Sequence, residues 1–208
     1  MRLPVLTIGV TVVTAATNIV QLTVPGTFER FGRTPAGLHG EWWRTVTSLF
    51  VQDNGVAGIV SNLLFLALIG AIAEQVASRP RWLLHYFGVG LVSEFVGYLW
   101  QPVGGGSSIA ICGLTGIVAV ALWQRDARLP RWAAGATFLW CGALFGSLWW
   151  PLAFTGVVAV WIVRDRPWAV RPAGIAVVFT AVVLSALTNI HGGALVIGVL
   201  LGLLTTRA

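Results

Sequence analysis

Three side chains in an otherwise apolar chain have the makings of nucleophilic chemistry: Ser108, His191 and Asn62. A serine hydroxyl is a weak nucleophile until an imidazole takes its proton, so Ser108 and His191 are the minimum for acyl transfer. An amide such as that of Asn62 can donate to the oxyanion that forms. In lipid such groups face a bundle interior or a wet cavity, because exposure to hydrocarbon is costly. Each also has a plainer use. Gly104-Gly105-Gly106-Ser107-Ser108 ahead of an apolar run is a good helix start. His191 could make an interhelical hydrogen bond, and Asn62 could act as glue between helices.

The elements that carry them read as membrane spans. Of 208 residues, 57% are apolar and 10% charged, against about 25% charged in soluble domains. That is too little polar surface to cover a water-soluble globule. Apolar stretches run over about 3–24, 56–77, 82–100, 107–124, 132–149, 151–163, 173–188 and 189–206. About 20 helical residues cross a hydrocarbon core of about 30 Å. The expected fold is an all-α polytopic membrane protein, one integral membrane domain over 1–208 with about eight spans. The stretch 151–163 is short for a crossing, and one tilted span over 132–163 would flip the parity of all that follows. Trp132, Trp149-Trp150 and Trp161 mark interface levels and favour a hairpin. The first stretch has a longer apolar core than a signal peptide and is expected to be retained.

Orientation follows from charge. All 13 cationic residues are arginines, and the net charge is +6. A basic balance can point to nucleic acid, but these arginines cluster between spans as topology determinants do, so no nucleic-acid partner is expected. With the N-terminus in the cytoplasm, Arg2, Arg79, Arg81, Arg125, Arg128, Arg131, Arg164, Arg166, Arg171 and Arg207 lie inside. Arg30, Arg33 and Arg44 lie outside, in a long loop over 25–55 whose charges can pair. Both termini are then cytoplasmic, and Ser108, His191 and Asn62 share the outer side. Gly113 and Gly116 below Ser108, and Ala194, Gly198 and Gly202 after His191, permit close helix packing. Cys112 and Cys141 lack metal-ligand spacing and read as buried thiols. No metal or cofactor is called for. His85 is expected at the interface, His39 in a loop, and Glu94 either protonated or paired with a polar group such as Asn18.

Four stretches between Gly40 and Gly202 resemble those of the rhomboid intramembrane serine proteases. They are Gly40-Glu41-Trp42-Trp43-Arg44, Asn62-Leu63-Leu64-Phe65 with Glu74, Gly106-Ser107-Ser108 with Gly113-Leu114-Thr115-Gly116, and His191-Gly192-Gly193 with Gly198 and Gly202. The resemblance implies Ser108 as nucleophile, His191 as general base, and Asn62 with the Ser108 N–H as oxyanion donors. It also implies that Trp43 and Arg44 anchor the outer loop, with Glu74 as partner. A six-span core plus an inserted short helical pair would account for the distance between Ser108 and His191. Four positions depart from the family pattern: Gly58 stands where a His is usual, Ile109 where Gly is usual, Cys112 where an aromatic is common, and Ala194 where a second Gly after His191-x-Gly is usual.

The expected function is that of an intramembrane serine endopeptidase of a bacterial plasma membrane. Its partners are transmembrane segments of membrane proteins, cut near the outer leaflet of the lipid bilayer. Gly58 and Ile109 keep open a catalytically inactive rhomboid-like protein that binds transmembrane clients. A small-solute transporter should carry repeated halves, and no such repeat is visible.

Overall fold

A computed structural model describes residues 2–163 and 166–205. Arg164 and Arg207, counted among the inner arginines, lie outside the described residues. Backbone donors and acceptors must be satisfied internally in hydrocarbon, and each expected apolar stretch is helical. Helix α1 spans Val5–Thr23. The loop after it carries α2 (Thr27–Phe31), a 3-10 turn at Pro35–Leu38, and α3 (Arg44–Thr47). Helix α4 spans Gly55–Val76. α5 (Arg79–Leu83) continues through a π turn at Leu84–Gly88 into α6 (Val89–Trp100). Then come α7 (Ser108–Gln124), α8 (Ala133–Gly146), α9 (Phe154–Val163), α10 (Val170–Ala186) and α11 (Ile190–Thr205). Among the described residues there is no strand, and one isolated bridge joins Arg33 to Gly104.

α1 and α4 are each long and apolar enough to cross a membrane, and the remaining long helices are shorter but apolar. α8 and α9 are separate helices joined through Ser147–Trp149 and a 3-10 turn, so 132–163 is a hairpin rather than one tilted span. The hairpin returns the chain to the end it left. The starts of α7 and α11 therefore meet.

α7 is buried from Ile109 to Leu122 and packs against α4, α6, α10 and α11. A helix apolar on every side has no face to offer water and belongs at the centre. Around it the polarity of a soluble protein is reversed. Val12, Ile19, Val60, Leu99 and Phe179 point outward, while Thr14, Asn18, Gln52, His85 and Glu94 are buried. α7 and α11 touch backbone to backbone: a Cβ at Gly116 would collide with Gly198, and one at Gly202 would sit 3.1 Å from the Gly116 carbonyl oxygen.

One expectation about a polar residue needs correction. Glu74 does not anchor the outer loop with Arg44. Its Oε1 accepts from the Leu6 N–H at 3.1 Å, and its Oε2 accepts from the Thr7 N–H at 3.0 Å and the Thr7 hydroxyl at 2.9 Å. α1 has no capping side chain of its own, so its orphan donors take a carboxylate from α4. Glu74 lies about 18 Å along α4 from Asn62 at a helical rise, at the end remote from the outer loop. His85 is enclosed by protein. It is fully buried, with Nδ1 3.0 Å from the Gly113 oxygen and Nε2 3.4 Å from Thr205 Oγ1. The π turn brings its carbonyl against Gly113, where a Cβ would collide.

Candidate active site

The loop ahead of α7 is held from both sides before Ser108 is reached. The Arg33 N–H donates to the Gly104 oxygen at 2.8 Å, the Gly104 N–H donates back at 3.1 Å, and the Gly106 N–H donates to the Ser48 oxygen at 2.8 Å. Gly106 has φ +150°, and a Cβ there would sit 2.8 Å from Gln52 Oε1 and 3.3 Å from Asn62 Nδ2. Only glycine has both the torsion and the space. Ser108 then opens α7, so its N–H belongs to the first turn, which has no intrahelical acceptor. The helix dipole adds partial positive charge at that end.

His191 reaches the same place from α11. After α10 the chain turns through Thr188 at φ +51°, and the Asn189 N–H donates to the Leu184 oxygen at 2.9 Å. His191 Nε2 lies 2.9 Å from Ser108 Oγ. Its Nδ1 lies 2.7 Å from Asn189 Oδ1, which also accepts the His191 backbone N–H at 3.0 Å. Gly192 lies against the backbone of Ser185, where a Cβ would collide, and this keeps the turn tight.

Asn62 comes from α4 and donates through Nδ2 to Gln52 Oε1 at 2.6 Å. An amide nitrogen carries two hydrogens, so one remains for another acceptor. Asn62 Nδ2 and Ser108 Oγ lie 3.3 and 3.5 Å from the Cβ position of Gly106, on the same side of that residue. Gln52 is fixed in turn by α1. Its N–H donates to Gln21 Oε1 at 2.8 Å, and Gln21 Nε2 donates to its carbonyl at 2.6 Å. Gln52 Nε2 and Ser107 Oγ are buried beside the site without a protein partner.

Ser108 and His191 border a polar pocket of about 260 Å³ whose walls include Arg33, Asp53, Glu94, Gln101 and Ile109. Glu94 is paired with Arg33, Oε2 to Nη1 at 2.6 Å, rather than joined to Asn18. Asn18 donates instead to the Phe50 oxygen at 2.6 Å. Arg33 Nε donates to the Gln101 oxygen at 3.0 Å, so the ion pair also braces the loop before α7. Ile109 is buried in the pocket wall and does not stand between Ser108 and His191. A larger apolar cavity of about 930 Å³ is lined by α8 and α9 together with Leu68 of α4 and Val170 of α10, and none of the three site residues borders it.

Arg44 pins the loop over 25–55. It pairs with Glu41 and donates to the carbonyls of Glu29 at 2.7 Å and Gly32 at 2.9 Å, at the end of α2. Trp43 precedes α3 with its side chain partly exposed. Among the described residues, no three His, Cys, Asp or Glu side chains gather as metal ligands.

Asn189, Gln52 and the partner of Glu94 were not singled out from sequence. For Asn189 a signal existed, since an Asn two residues before His191 at a helix start has capping spacing. Gln52 lies in a loop without periodicity and gave none.

A family model described as a Rhomboid domain matches residues 39–208. The protein of Bacillus subtilis (strain 168) named "Putative rhomboid protease YdcA" is 32% identical over 91 residues, 42% of this chain. The match spans 45% of that relative's length.

Proposed function

This chain belongs to the rhomboid family and is an integral membrane protein, and from that premise we propose that it is an intramembrane serine endopeptidase. Its substrates are single-span membrane proteins, cut near the outer leaflet of a bacterial plasma membrane, with both termini of the enzyme cytoplasmic. The observation that carries the reading is the 2.9 Å separation of Ser108 Oγ and His191 Nε2, within the range for proton transfer by a general base.

In this reading Ser108 Oγ attacks the scissile carbonyl carbon while its proton passes to His191 Nε2. The carbonyl oxygen becomes an oxyanion held by the Ser108 N–H and the free Asn62 N–H. Collapse expels the amine, which takes the proton from His191 and leaves an acyl group on Ser108. Water, deprotonated by His191, then attacks that ester and releases the acid. The polar pocket gives this water a place beside an otherwise apolar core. Removing one oxyanion donor costs about 10²–10³ in rate, so Gly58 in place of a His does not of itself abolish activity.

The rival is a non-catalytic rhomboid-like protein that holds transmembrane clients, and Ile109 beside the nucleophile is the feature that favours it. Purified protein, Ser108→Ala and His191→Ala are incubated in liposomes with a panel of single-span substrates, and separately with a fluorophosphonate probe. Cleavage and Ser108 labelling by the wild type alone are the expected result. Equal cleavage by all three, or no reaction by any, would overturn it.

A further inference from the structure

Asn189 is buried at the turn between α10 and α11, and its side-chain oxygen has two neighbours on one residue, the His191 backbone nitrogen and Nδ1. The backbone group can only donate, so the amide atom facing it is the oxygen and not the nitrogen. That oxygen carries no hydrogen, so Nδ1 at 2.7 Å must supply one. A neutral imidazole then has its lone pair on Nε2, which lies 2.9 Å from Ser108 Oγ. The tautomer is thus set from behind the ring.

We propose that Asn189 is a positioning residue for His191, holding the Nδ1 proton so that Nε2 is free to take the proton of Ser108. This rests on the protease reading of the site and adds a third member to the pair. The other end of the amide faces the hairpin. Asn189 Nδ2 lies 3.5 Å from Ser147 Oγ, whose hydroxyl donates to the Leu144 oxygen at 2.7 Å. The inserted pair α8–α9 therefore bears on the orientation of the base.

The competing role is a helix cap alone, since an Asn before α11 accepting a first-turn N–H is ordinary capping. Two substitutions separate the roles. Asn189→Ser keeps a capping oxygen but is too short to reach Nδ1. Asn189→Asp keeps the cap and the acceptor and adds a negative charge. The other charged groups on the pocket are Arg33 and Asp53 of the outer loop and Glu94 of α6, all unchanged in both variants.

The test has an arm that needs no activity. The chain has 3 histidines, so ¹⁵N-histidine NMR of the full protein in micelles, with His191→Gln for assignment, reads the tautomer directly. The expected wild-type signal is a protonated Nδ1 and a bare Nε2, with Asn189→Ser giving a mixture. A wild-type proton on Nε2 would overturn the proposal, whatever the protein cleaves. In substrate cleavage Asn189→Ser should lose about 10²-fold in kcat with KM little changed, as misplacement of a catalytic group does. In Asn189→Asp the acid limb of the pH profile should move to higher pH, because a nearby anion favours protonated His191. Wild-type kcat and tautomer in Asn189→Ser would reduce Asn189 to a cap. If Asn189→Ser does not fold, an unmoved acid limb in Asn189→Asp decides against the proposal. A wild type with the expected tautomer but no cleavage refutes the protease reading instead.

Discussion

Arg33 and Glu94 form a buried ion pair, Nη1 to Oε2 at 2.6 Å, in the wall of the pocket that holds Ser108 and His191. It joins the loop over 25–55 to α6 beside the isolated bridge between Arg33 and Gly104 that precedes α7. Removing one member of a buried pair leaves an uncompensated charge, which costs about 3–5 kcal/mol, whereas replacing both with apolar groups is often neutral. Arg33→Met and Glu94→Leu should each lower stability by that order, and the double variant should recover most of it. Denaturant unfolding in micelles, run as a double-mutant cycle, measures the coupling. Simple additivity would show that the two do not act as a pair.

Asp126 and Arg128 give the opposite case, an ion pair at 2.6 Å in the exposed turn after α7. The Arg128 hydrogen bond holds the Asp126 carboxyl below its usual range. A depressed folded-state pKa contributes stability above the ordinary carboxylate range and loses it as pH falls through the lowered value. With Arg128 half exposed, Asp126→Asn should cost less than about 1 kcal/mol near neutral pH. The same unfolding assay reads it, and a loss as large as that at Glu94 would contradict the solvent-screening argument.

Asn62→Ala should lower kcat by about 10²–10³ with KM little changed, the pattern of a lost oxyanion donor. Gln52→Leu should lower kcat as well, because Gln52 Oε1 fixes the Asn62 amide at 2.6 Å. Steady-state cleavage at several substrate concentrations separates the two constants. An unchanged kcat in Asn62→Ala would remove Asn62 from the site.

Gly116→Ala or Gly198→Val should destabilise by about 1–3 kcal/mol, as overpacking does. Either should also slow fluorophosphonate labelling of Ser108, since α7 carries Ser108 and α11 carries His191. Thermal melts in micelles and labelling rates check both effects. A normal melt with normal labelling would mean the helices have room to spare.

Glu74→Ala should free the Leu6 and Thr7 amides, which now donate to its carboxylate. Losing partners for buried donors costs about 1–3 kcal/mol. Hydrogen exchange at the start of α1 should speed up, while exchange in α7 should not. Unaltered protection at Leu6 and Thr7 would exclude the cap.

The spans were legible because length and hydropathy alone decide whether a segment is stable in lipid. The Trp132, Trp149-Trp150 and Trp161 levels marked α8 and α9 as a hairpin even though α9 is short. Span parity then put Ser108 and His191 at one end without any knowledge of contacts. Contacts between particular side chains were not legible. Glu74 was assigned to Arg44 through resemblance, but a carboxylate near the end of α4 reaches only what packs beside that end, and there it meets the start of α1. Glu94 was offered Asn18, whereas an irregular loop folds Arg33 inward over it. Gln52 and Asn189 act from turns whose torsions, such as φ +51° at Thr188, have no periodic signature in sequence.

The backbone contact between Gly116 and Gly198 lies about 11 Å below Ser108 and His191 along both helices, at 1.5 Å of rise per residue. It is therefore a fulcrum, and Ser108 and His191 are the tips of two levers of nearly equal length. A change of about 5° in the angle between the levers parts the tips by about 1 Å on that geometry, enough to break a hydrogen bond. The closeness of that glycine contact therefore bears on the distance between Ser108 and His191 without touching either side chain.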